Sequence, residues 1–236
     1  MRNIAIILAG GVGSRMGCAT PKQFLELAGR PVIALSIEVF ASHAAIDEVA
    51  VVVHPEWRGR MEEIAAANHW DKLKKIIDGG DERYRSSMNA VAACQEEPDD
   101  TNLLFHDAAR PWVSGKIITR VMEALRTHEA VGVAIPSADT VWEVEDGAVR
   151  EIPDRSRMWL AQTPQAFRLP LIREAYCRAM KDPKFQATDD CGVVLRYMPG
   201  ASICPVEGDL RNMKVTAPQD LVIMEQIMKE KQKGIF

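Results

Sequence analysis

The 236-residue sequence lacks a membrane-spanning segment, because no apolar run approaches the ~18 residues that a transmembrane helix needs. A signal-peptide pattern is also missing, since Met1-Arg2-Asn3 leads directly into a predicted strand. The five cysteines are scattered without a Cys-x-x-Cys spacing, which argues against a zinc site or a redox pair. A formal net charge of −4 argues against a general nucleic-acid binder. We therefore expect a cytoplasmic protein that binds neither membranes nor nucleic acid.

What the sequence does contain is a glycine-rich run, Leu8-Ala9-Gly10-Gly11-Val12-Gly13, at the end of a short apolar segment that predicts a buried strand over 4–8. The run is not a P-loop, because it lacks Gly-Lys-Ser/Thr, and Met16 stands where a dinucleotide fingerprint has Gly or Ala. Exposed backbone N–H groups in such a loop bind anions, and Arg15 and Lys22 add two cations. The segment therefore predicts a triphosphate site, with a plain turn as the alternative.

Strands and helices alternate through the first two thirds of the sequence, which is typical of a mainly parallel sheet with helices on both faces. The pattern predicts strands over 4–8, 49–53, 76–77, 103–106 and 131–135, and helices over 31–42, 58–67, 86–94, 116–128 and 218–231. Ligands of such sheets bind beyond the carboxyl ends of the strands. The loops at Gly10, Gly79 and Asp107 all follow strands, so we expect them to converge on one cleft.

One segment breaks this alternation. Between Thr140 and Ile152, apolar and polar residues alternate around Asp146-Gly147, which predicts a β-hairpin. Trp142 and Val144 would share an exposed face if this hairpin projected without support. We therefore expect an arm that packs against a second subunit.

Two runs place polar side chains close to predicted strand ends. Asp107 is a candidate ligand for a magnesium ion that bridges phosphates, because Mg²⁺ prefers oxygen ligands. Capping of a helix by Asp107, or an ion pair with Arg110, is the alternative. Asp81 and Ser86 follow Gly79-Gly80 and can hydrogen-bond the edge of a base, with a helix N-cap at Ser86 as the plainer role.

A further polar run lies near the C-terminus. Lys214 can reach a phosphate as a mobile point charge, whereas a surface lysine without a role is the alternative. Asp209 is a candidate second metal ligand, and the pattern puts both residues on a short strand or its approach.

These runs, in this order, resemble the cytidylyltransferase family of the methylerythritol phosphate pathway over nearly the whole chain. The resemblance rests on Ile7-Leu8-Ala9-Gly10-Gly11-x-Gly13-x-Arg15-Met16 with Pro21-Lys22-Gln23, Gly79-Gly80-Asp81-x-Arg83, His106-Asp107-Ala108-Ala109-Arg110-Pro111, Gln162-Thr163-Pro164-Gln165, Thr188-Asp189-Asp190 and Asn212-x-Lys214-x-Thr216. It implies a Rossmann-like α/β nucleotidyltransferase fold, a single domain over 1–236, and a projecting β-arm over 137–157 that builds a homodimer. The implied ligands are CTP, a sugar-alcohol phosphate and Mg²⁺ or another divalent cation.

The resemblance also implies roles for individual residues. The catalytic cations would be Arg15, Lys22 and Lys214. Residues that bind the nucleotide would be Ala9, Gly10, Gly11, Gly13, Gly80, Asp81, Ser86 and Ala108, with Asp107 as the metal ligand. The acceptor phosphate would contact Arg110, Thr140, Arg155, Thr163 and Thr188, of which Thr140 and Arg155 would reach across from the arm of the other subunit.

The first loop departs from the commonest pattern of the family. Many methylerythritol enzymes have Ala-Ala-Gly there, whereas Leu8-Ala9-Gly10-Gly11 is more similar to the related ribitol-5-phosphate cytidylyltransferases. His106 to Pro111 and Met158-Trp159 resemble the methylerythritol enzymes, so we favour 2-C-methyl-D-erythritol 4-phosphate as the acceptor and keep D-ribitol 5-phosphate as the alternative. A non-catalytic nucleotide sensor on the same scaffold is a third interpretation. The presence of all four charged residues, Arg15, Lys22, Asp107 and Lys214, argues against it.

Overall fold

The computed structural model describes residues 1–11 and 20–232. The elements are, in chain order, β1 (Asn3–Ala9), β2 (Glu26–Leu27), β3 (Arg30–Pro31), α1 (Val32–Ser42), β4 (Glu48–Val53), α2 (Arg58–Asn68), β5 (Leu73–Asp78), α3 (Arg83–Ala93), β6 (Asn102–Asp107), α4 (Gly115–Ala124), β7 (Ala130–Pro136), β8 (Glu143–Glu145), β9 (Ala148–Glu151), β10 (Trp159–Arg168), α5 (Leu169–Ala179), α6 (Asp190–Tyr197), β11 (Ile203–Glu207) and α7 (Pro218–Gln232).

Seven of the strands form one sheet in the order β11-β7-β10-β6-β1-β4-β5. Strand β10 is antiparallel to both of its neighbours, and the other adjacent pairs are parallel. The carboxyl ends of β1, β5 and β6 therefore lie at the same edge. This topology confirms the predicted α/β class with a mainly parallel sheet.

Apolar side chains of the central strands alternate between two cores, as the period of two in a strand requires. Ile7 packs into the core formed with α1, α2 and α4, whereas Ile6 packs into the core formed with α3, α5 and α6. Both residues are fully buried. Helices thus cover both faces of the sheet, as predicted.

Several predicted boundaries are wrong. Helix α3 begins at Arg83 and not at Ser86, so Ser86 lies in the first turn and is not the N-cap. Strand β5 is longer than 76–77, because an edge strand exposes part of its length and tolerates Lys74 and Lys75 there. Helix α4 ends at Ala124, since the backbone tightens into a bond from Arg126 N–H to the Glu123 carbonyl.

The sequence prediction also missed β10 and the helices α5 and α6 that follow it. In β10 the pairing register with β7 shifts between Ala161 and Gln165, and the intervening residues 162–164 are polar or proline. This interruption removes the apolar alternation by which a strand is detected. Strand β11 ends at Glu207, so Asp209 and Lys214 lie in the loop after it and not on a strand.

The predicted hairpin is confirmed. Strands β8 and β9 pair around Asp146 and Gly147, whose φ angles of 52° and 76° suit a tight hairpin turn. The side chains of Trp142, Val144 and Ile152 are all more than half exposed. No helix in the described ranges has the length and apolarity that a membrane crossing requires.

Candidate nucleotide-binding site

A cavity of about 440 Å³ lies beyond the carboxyl ends of β1, β5 and β6. Its volume is within the range of small-molecule sites. Eleven of the sequence-predicted site residues line it, namely Ala9, Gly10, Gly11, Lys22, Gly80, Asp81, Ser86, Asp107, Ala108, Thr188 and Lys214. Gly13 and Arg15 lie outside the described residues. The three loops that follow strands thus meet at one place.

Close packing against Ser86 explains the glycine at position 10 of this cavity. A Cβ atom on Gly10 would lie 2.6 Å from Ser86 Oγ, so any side chain at this position would force Ser86 or the loop to shift. Ser86 Oγ in turn accepts a hydrogen bond from Gly80 N–H at 3.1 Å. Gln23 Nε2 donates to the carbonyls of Ala9 and Gly11 at 2.7 and 2.9 Å. These contacts hold the loop after β1 close to the first turn of α3 at one wall of the cavity.

Asp107, at the end of β6, is the electrostatic centre of the cavity. Lys214 Nζ donates to its Oδ2 atom at 2.8 Å, Arg110 Nε lies 3.6 Å from Oδ2, and Arg83 Nε lies 3.6 Å from Oδ1. Burial opposes ionisation, but the charges of Lys214, Arg83 and Arg110 outweigh it and hold the pKa of Asp107 well below its usual range. The carboxylate is therefore charged at neutral pH and surrounded by more positive than negative charge.

His106 lies beneath this carboxylate and faces the interior. It is fully buried, and burial lowers the pKa of its imidazole from 6.5 to about 4. Its ring nitrogens contact the Arg110 carbonyl at 3.1 Å and Thr163 Oγ1 at 3.0 Å. Thr163 Oγ1 also accepts a hydrogen bond from Asp107 N–H at 3.1 Å. His106 and Thr163 together fix the end of β6 that presents Asp107. Thr163 thus lies next to the cavity and stabilises its wall.

Arg110 and Thr163, both predicted to hold the acceptor, adjoin the cavity without lining it. Arg110 Nη1 donates to the Asn212 carbonyl at 2.8 Å. Asp209, the candidate second metal ligand, is not at the cavity either, and its carboxylate accepts hydrogen bonds from Arg211 N–H and Nε. The structure therefore does not bring Asp209 to Asp107.

Thr140 and Arg155 are the two predicted site residues on the arm. Neither lines the cavity of its own chain, and Arg155 Nη1 donates to the nearby Ala138 carbonyl at 3.0 Å. The structure of one chain thus leaves both outside the site.

Binding of Mg²⁺ at this cavity would depend on a bound nucleotide. Within residues 1–11 and 20–232, no group of three or more His, Cys, Asp and Glu side chains could hold a metal. Mg²⁺ usually takes one or two carboxylates together with substrate phosphates. Asp107 presents one such oxygen ligand at the cavity, so the phosphates of a nucleotide would have to supply others.

Sequence reasoning assigned no role to several residues that build this site. Arg83 lines the cavity, and Asp190 is buried behind it in contact with that arginine. Gln165 Nε2 donates to Asp189 Oδ2 at 2.7 Å, and its Oε1 atom accepts from the N–H groups of Asp190 and Cys191. Arg83, Gln165 and Asp190 all belong to the motifs that resemble the family, and this membership could have identified them as site residues.

A glycine loop after the first strand, a sheet with one antiparallel strand, and a cavity with lysines and arginine around one carboxylate define an α/β nucleotidyltransferase. Comparison with known proteins specifies the family. The sequence model of the 2-C-methyl-D-erythritol 4-phosphate cytidylyltransferases (IspD) matches residues 3–230. The chain belongs to this family and is a CTP-dependent nucleotidyltransferase.

Individual relatives agree with this assignment. The chain is 46% identical over 233 residues to the 2-C-methyl-D-erythritol 4-phosphate cytidylyltransferase of Thermobifida fusca, covering 97% of this chain and 94% of that protein. It is 38% identical to the bifunctional ribulose 5-phosphate reductase/CDP-ribitol pyrophosphorylase Bcs1 of Haemophilus influenzae, covering 98% of this chain but only 49% of that protein. The crystal structure of 4-diphosphocytidyl-2C-methyl-D-erythritol synthase from Anaerococcus prevotii matches with a TM-score of 0.85 at 26% identity, covering 97% of this chain and 98% of that one.

Proposed function

We propose that this protein transfers the cytidylyl group of CTP to the phosphate of 2-C-methyl-D-erythritol 4-phosphate. An oxygen of the acceptor phosphate attacks the α-phosphorus of CTP, the bond to the β-phosphate oxygen breaks, and pyrophosphate leaves. The products are 4-diphosphocytidyl-2-C-methyl-D-erythritol and pyrophosphate, so the reaction supplies a precursor of isoprenoids. The observation that carries the proposal is the cavity at the edge of the sheet, which Lys22 and Lys214 line and in which Lys214 contacts Asp107.

The proposed reaction needs positioning and charge rather than a proton acceptor. A phosphate monoester has a second pKa of about 6, so the attacking oxygen is already largely ionised at neutral pH. This agrees with the described lining of the cavity, which includes no histidine, and with His106 facing the interior. Bringing two polyanions together is the remaining difficulty, and Lys22 and Lys214 supply positive charge for it.

The two ends of the cavity suit the two substrates. Gly10 and Gly80 form part of the cavity wall and carry no side chain, so a flat base can approach the backbone closely there. Thr188 lies on the loop before α6, where its hydroxyl can meet the acceptor phosphate. Mg²⁺, when bound through Asp107 and the phosphates, would neutralise charge on the triphosphate.

One relative favours a second acceptor. The Haemophilus protein is described as a CDP-ribitol pyrophosphorylase, and it matches 98% of this chain. Pyrophosphate release should therefore be measured with CTP and Mg²⁺, comparing 2-C-methyl-D-erythritol 4-phosphate with D-ribitol 5-phosphate at equal concentrations. A higher kcat/KM with the methylerythritol substrate supports the proposal, and a preference for ribitol 5-phosphate assigns the other reaction. Absence of turnover with both, in a protein that binds CTP, favours a nucleotide sensor.

The proposal includes a homodimer in which the arm of one subunit completes the site of the other. Trp142, Val144, Val149 and Ile152 expose apolar surface on this two-stranded hairpin. Isolated hairpins are marginal in water, and large exposed apolar patches mark interaction surfaces. Arg155, directly after the hairpin, can then contribute a charge-assisted contact to an acceptor phosphate in the neighbouring cavity.

Subunit complementation tests this arrangement. Arg155→Ala and Lys22→Ala chains should each have strongly reduced activity, yet after exchange a heterodimer has one site in which both residues are intact. With half of the dimers mixed, about one quarter of all sites are restored. The matched control mixes Lys22→Ala with Lys214→Ala, whose side chains line the same cavity and cannot complement. Confirmed exchange without recovered activity in the first mixture would place Arg155 outside the partner's site.

A further inference from the structure

Arg83 connects two parts of the cavity that are far apart in sequence. It is the first residue of α3, directly after the loop that carries Gly80 and Asp81. Its Nη2 atom lies 2.8 Å from Asp190 Oδ2, and its Nε atom lies 3.6 Å from Asp107 Oδ1. One guanidinium thus bridges the end of β6 and the start of α6.

Asp190 is an anchor that holds this guanidinium in place. Its side chain is completely buried, and its Oδ1 atom accepts a hydrogen bond from Tyr176 Oη at 2.6 Å. Its N–H donates to Gln165 Oε1 at 3.0 Å, which ties the start of α6 to β10. Removing one partner of a buried ion pair leaves an uncompensated charge and is strongly destabilising. The ion pair with this buried carboxylate therefore restricts where the Arg83 guanidinium can lie.

A second contact connects the same two segments. Tyr84, the next residue of α3, packs edge-on against Phe185 with the ring centroids 4.8 Å apart. Phe185 precedes Thr188, which lines the cavity, in the loop that leads to Asp190. Two successive residues of α3 thus hold both ends of the loop that presents Thr188.

Arg83 contacts a different oxygen of Asp107 from the one that Lys214 and Arg110 contact. Lys214 and Arg110 both contact Oδ2, whereas Arg83 contacts Oδ1. Contacts on both oxygens fix the rotation of the carboxylate about its Cβ–Cγ bond. Lys214, with its flexible stem and partly exposed side chain, can then turn to a phosphate while Arg83 continues to hold the other oxygen.

We propose that Arg83 is a positioning residue for cytidylyl transfer: through its buried pair with Asp190 it holds the Asp107 carboxylate and the Thr188 loop in one fixed arrangement. The role rests on the proposed function, because Asp107 and Thr188 serve the nucleotide and the acceptor in that reaction. Arg83 itself acts through these two groups and not by binding the nucleotide.

The Arg83→Lys variant separates positioning from folding. A lysine has one nitrogen on a flexible stem, so it can neutralise Asp190 but cannot bridge to Asp107 with a second nitrogen. We expect a melting temperature close to that of the wild type, a fall in kcat of about 10²-fold, and a higher KM for the acceptor, because misplacement by about 1 Å costs rate on that order. The Kd for CTP, measured by calorimetry without Mg²⁺, should change less than threefold, because Asp107 would meet the nucleotide through the metal.

Arg178→Gln is the matched control. It removes an exposed arginine–carboxylate pair with Glu174 on α5, and it should leave kcat and both KM values unchanged. Should the lysine variant fail to fold, the double variant Arg83→Gln/Asp190→Asn replaces it, since it leaves no buried charge without a partner. The same kinetic losses are expected in that background.

Two results would overturn the proposal. A folded lysine or double variant with wild-type kcat and acceptor KM would show that the bridge is only structural. A large loss of CTP affinity in the absence of Mg²⁺, with little change in acceptor KM, would make Arg83 a nucleotide ligand. Failure of the proposed function is distinguishable, because the wild type would then release no pyrophosphate from CTP and acceptor in the same assay.

Discussion

The buried histidine beneath the cavity should make the protein lose stability in mild acid. His106 is fully buried, and its pKa falls from 6.5 to about 4 because burial disfavours the imidazolium. The unfolded chain therefore takes up a proton below pH 6.5 that the folded chain does not bind until about pH 4. The unfolded state binds more protons in this window, so the free energy of unfolding decreases as the pH falls.

The size of the effect follows from the difference in pKa. Each pH unit below 6.5 costs about 1.4 kcal/mol, so the loss from this residue is about 2 kcal/mol at pH 5 and about 3 kcal/mol at pH 4. Asp107 does not contribute in this range, since the pKa of its carboxyl is held low by Lys214, Arg83 and Arg110 against the effect of burial. Its stabilising contribution starts to be lost only near pH 3.8, where the carboxyl group of the unfolded chain takes up a proton, and the loss continues down to the lowered pKa of the folded state.

Urea unfolding of wild type and His106→Gln at pH 7 and pH 5 measures this directly. The variant should be less stable at pH 7, because the contacts with Thr163 and the Arg110 carbonyl are altered. The difference in the free energy of unfolding between wild type and His106→Gln should be about 2 kcal/mol smaller at pH 5 than at pH 7. His69→Asn is the control. His69 is exposed and ends α2 in the left-handed conformation, which asparagine also adopts. The free energy of unfolding of this variant should therefore depend on pH as that of the wild type does. If the difference in the free energy of unfolding between wild type and His106→Gln were the same at both pH values, the claim that His106 is neutral in the folded protein would be refuted.

Three further predictions concern the cavity. Lys22→Ala should lower kcat by about 10²–10³-fold, because a preorganised charge is lost from the cavity, and the melting temperature should be nearly unchanged. Near-normal turnover would show that Lys22 has no part in the mechanism. Asp107→Asn should raise the Mg²⁺ concentration needed for half-maximal activity, since an amide is a poorer ligand than a carboxylate; an unchanged Mg²⁺ titration would give Asp107 another role. Gly10→Ala should lower the melting temperature more than Gly11→Ala, because the new Cβ meets Ser86 Oγ at 2.6 Å whereas Gly11 has nothing within 4 Å; equal losses would contradict the packing of this loop.

Local features of the chain were predictable because their causes are local. The apolar run before Gly10 predicted β1, and Asp146-Gly147 predicted the arm hairpin, because strand alternation and turn chemistry act between residues that are close in sequence. The family motifs pointed to most of the residues that line the cavity. Strand β10 escaped detection because residues 162–164 interrupt its alternation.

The sequence by itself determined the class of fold, the glycine loop, the projecting hairpin and the family. The tertiary structure decided what surrounds Asp107. Its neighbours Arg83 and Lys214 come from α3 and from the loop after β11, 24 and 107 residues away in the chain. No spacing rule predicts such pairs, since they depend on which strands are adjacent and on how each helix returns across the sheet. The same packing buried His106, which disfavours its charged form, and it buried Asp190 where that residue contacts Arg83.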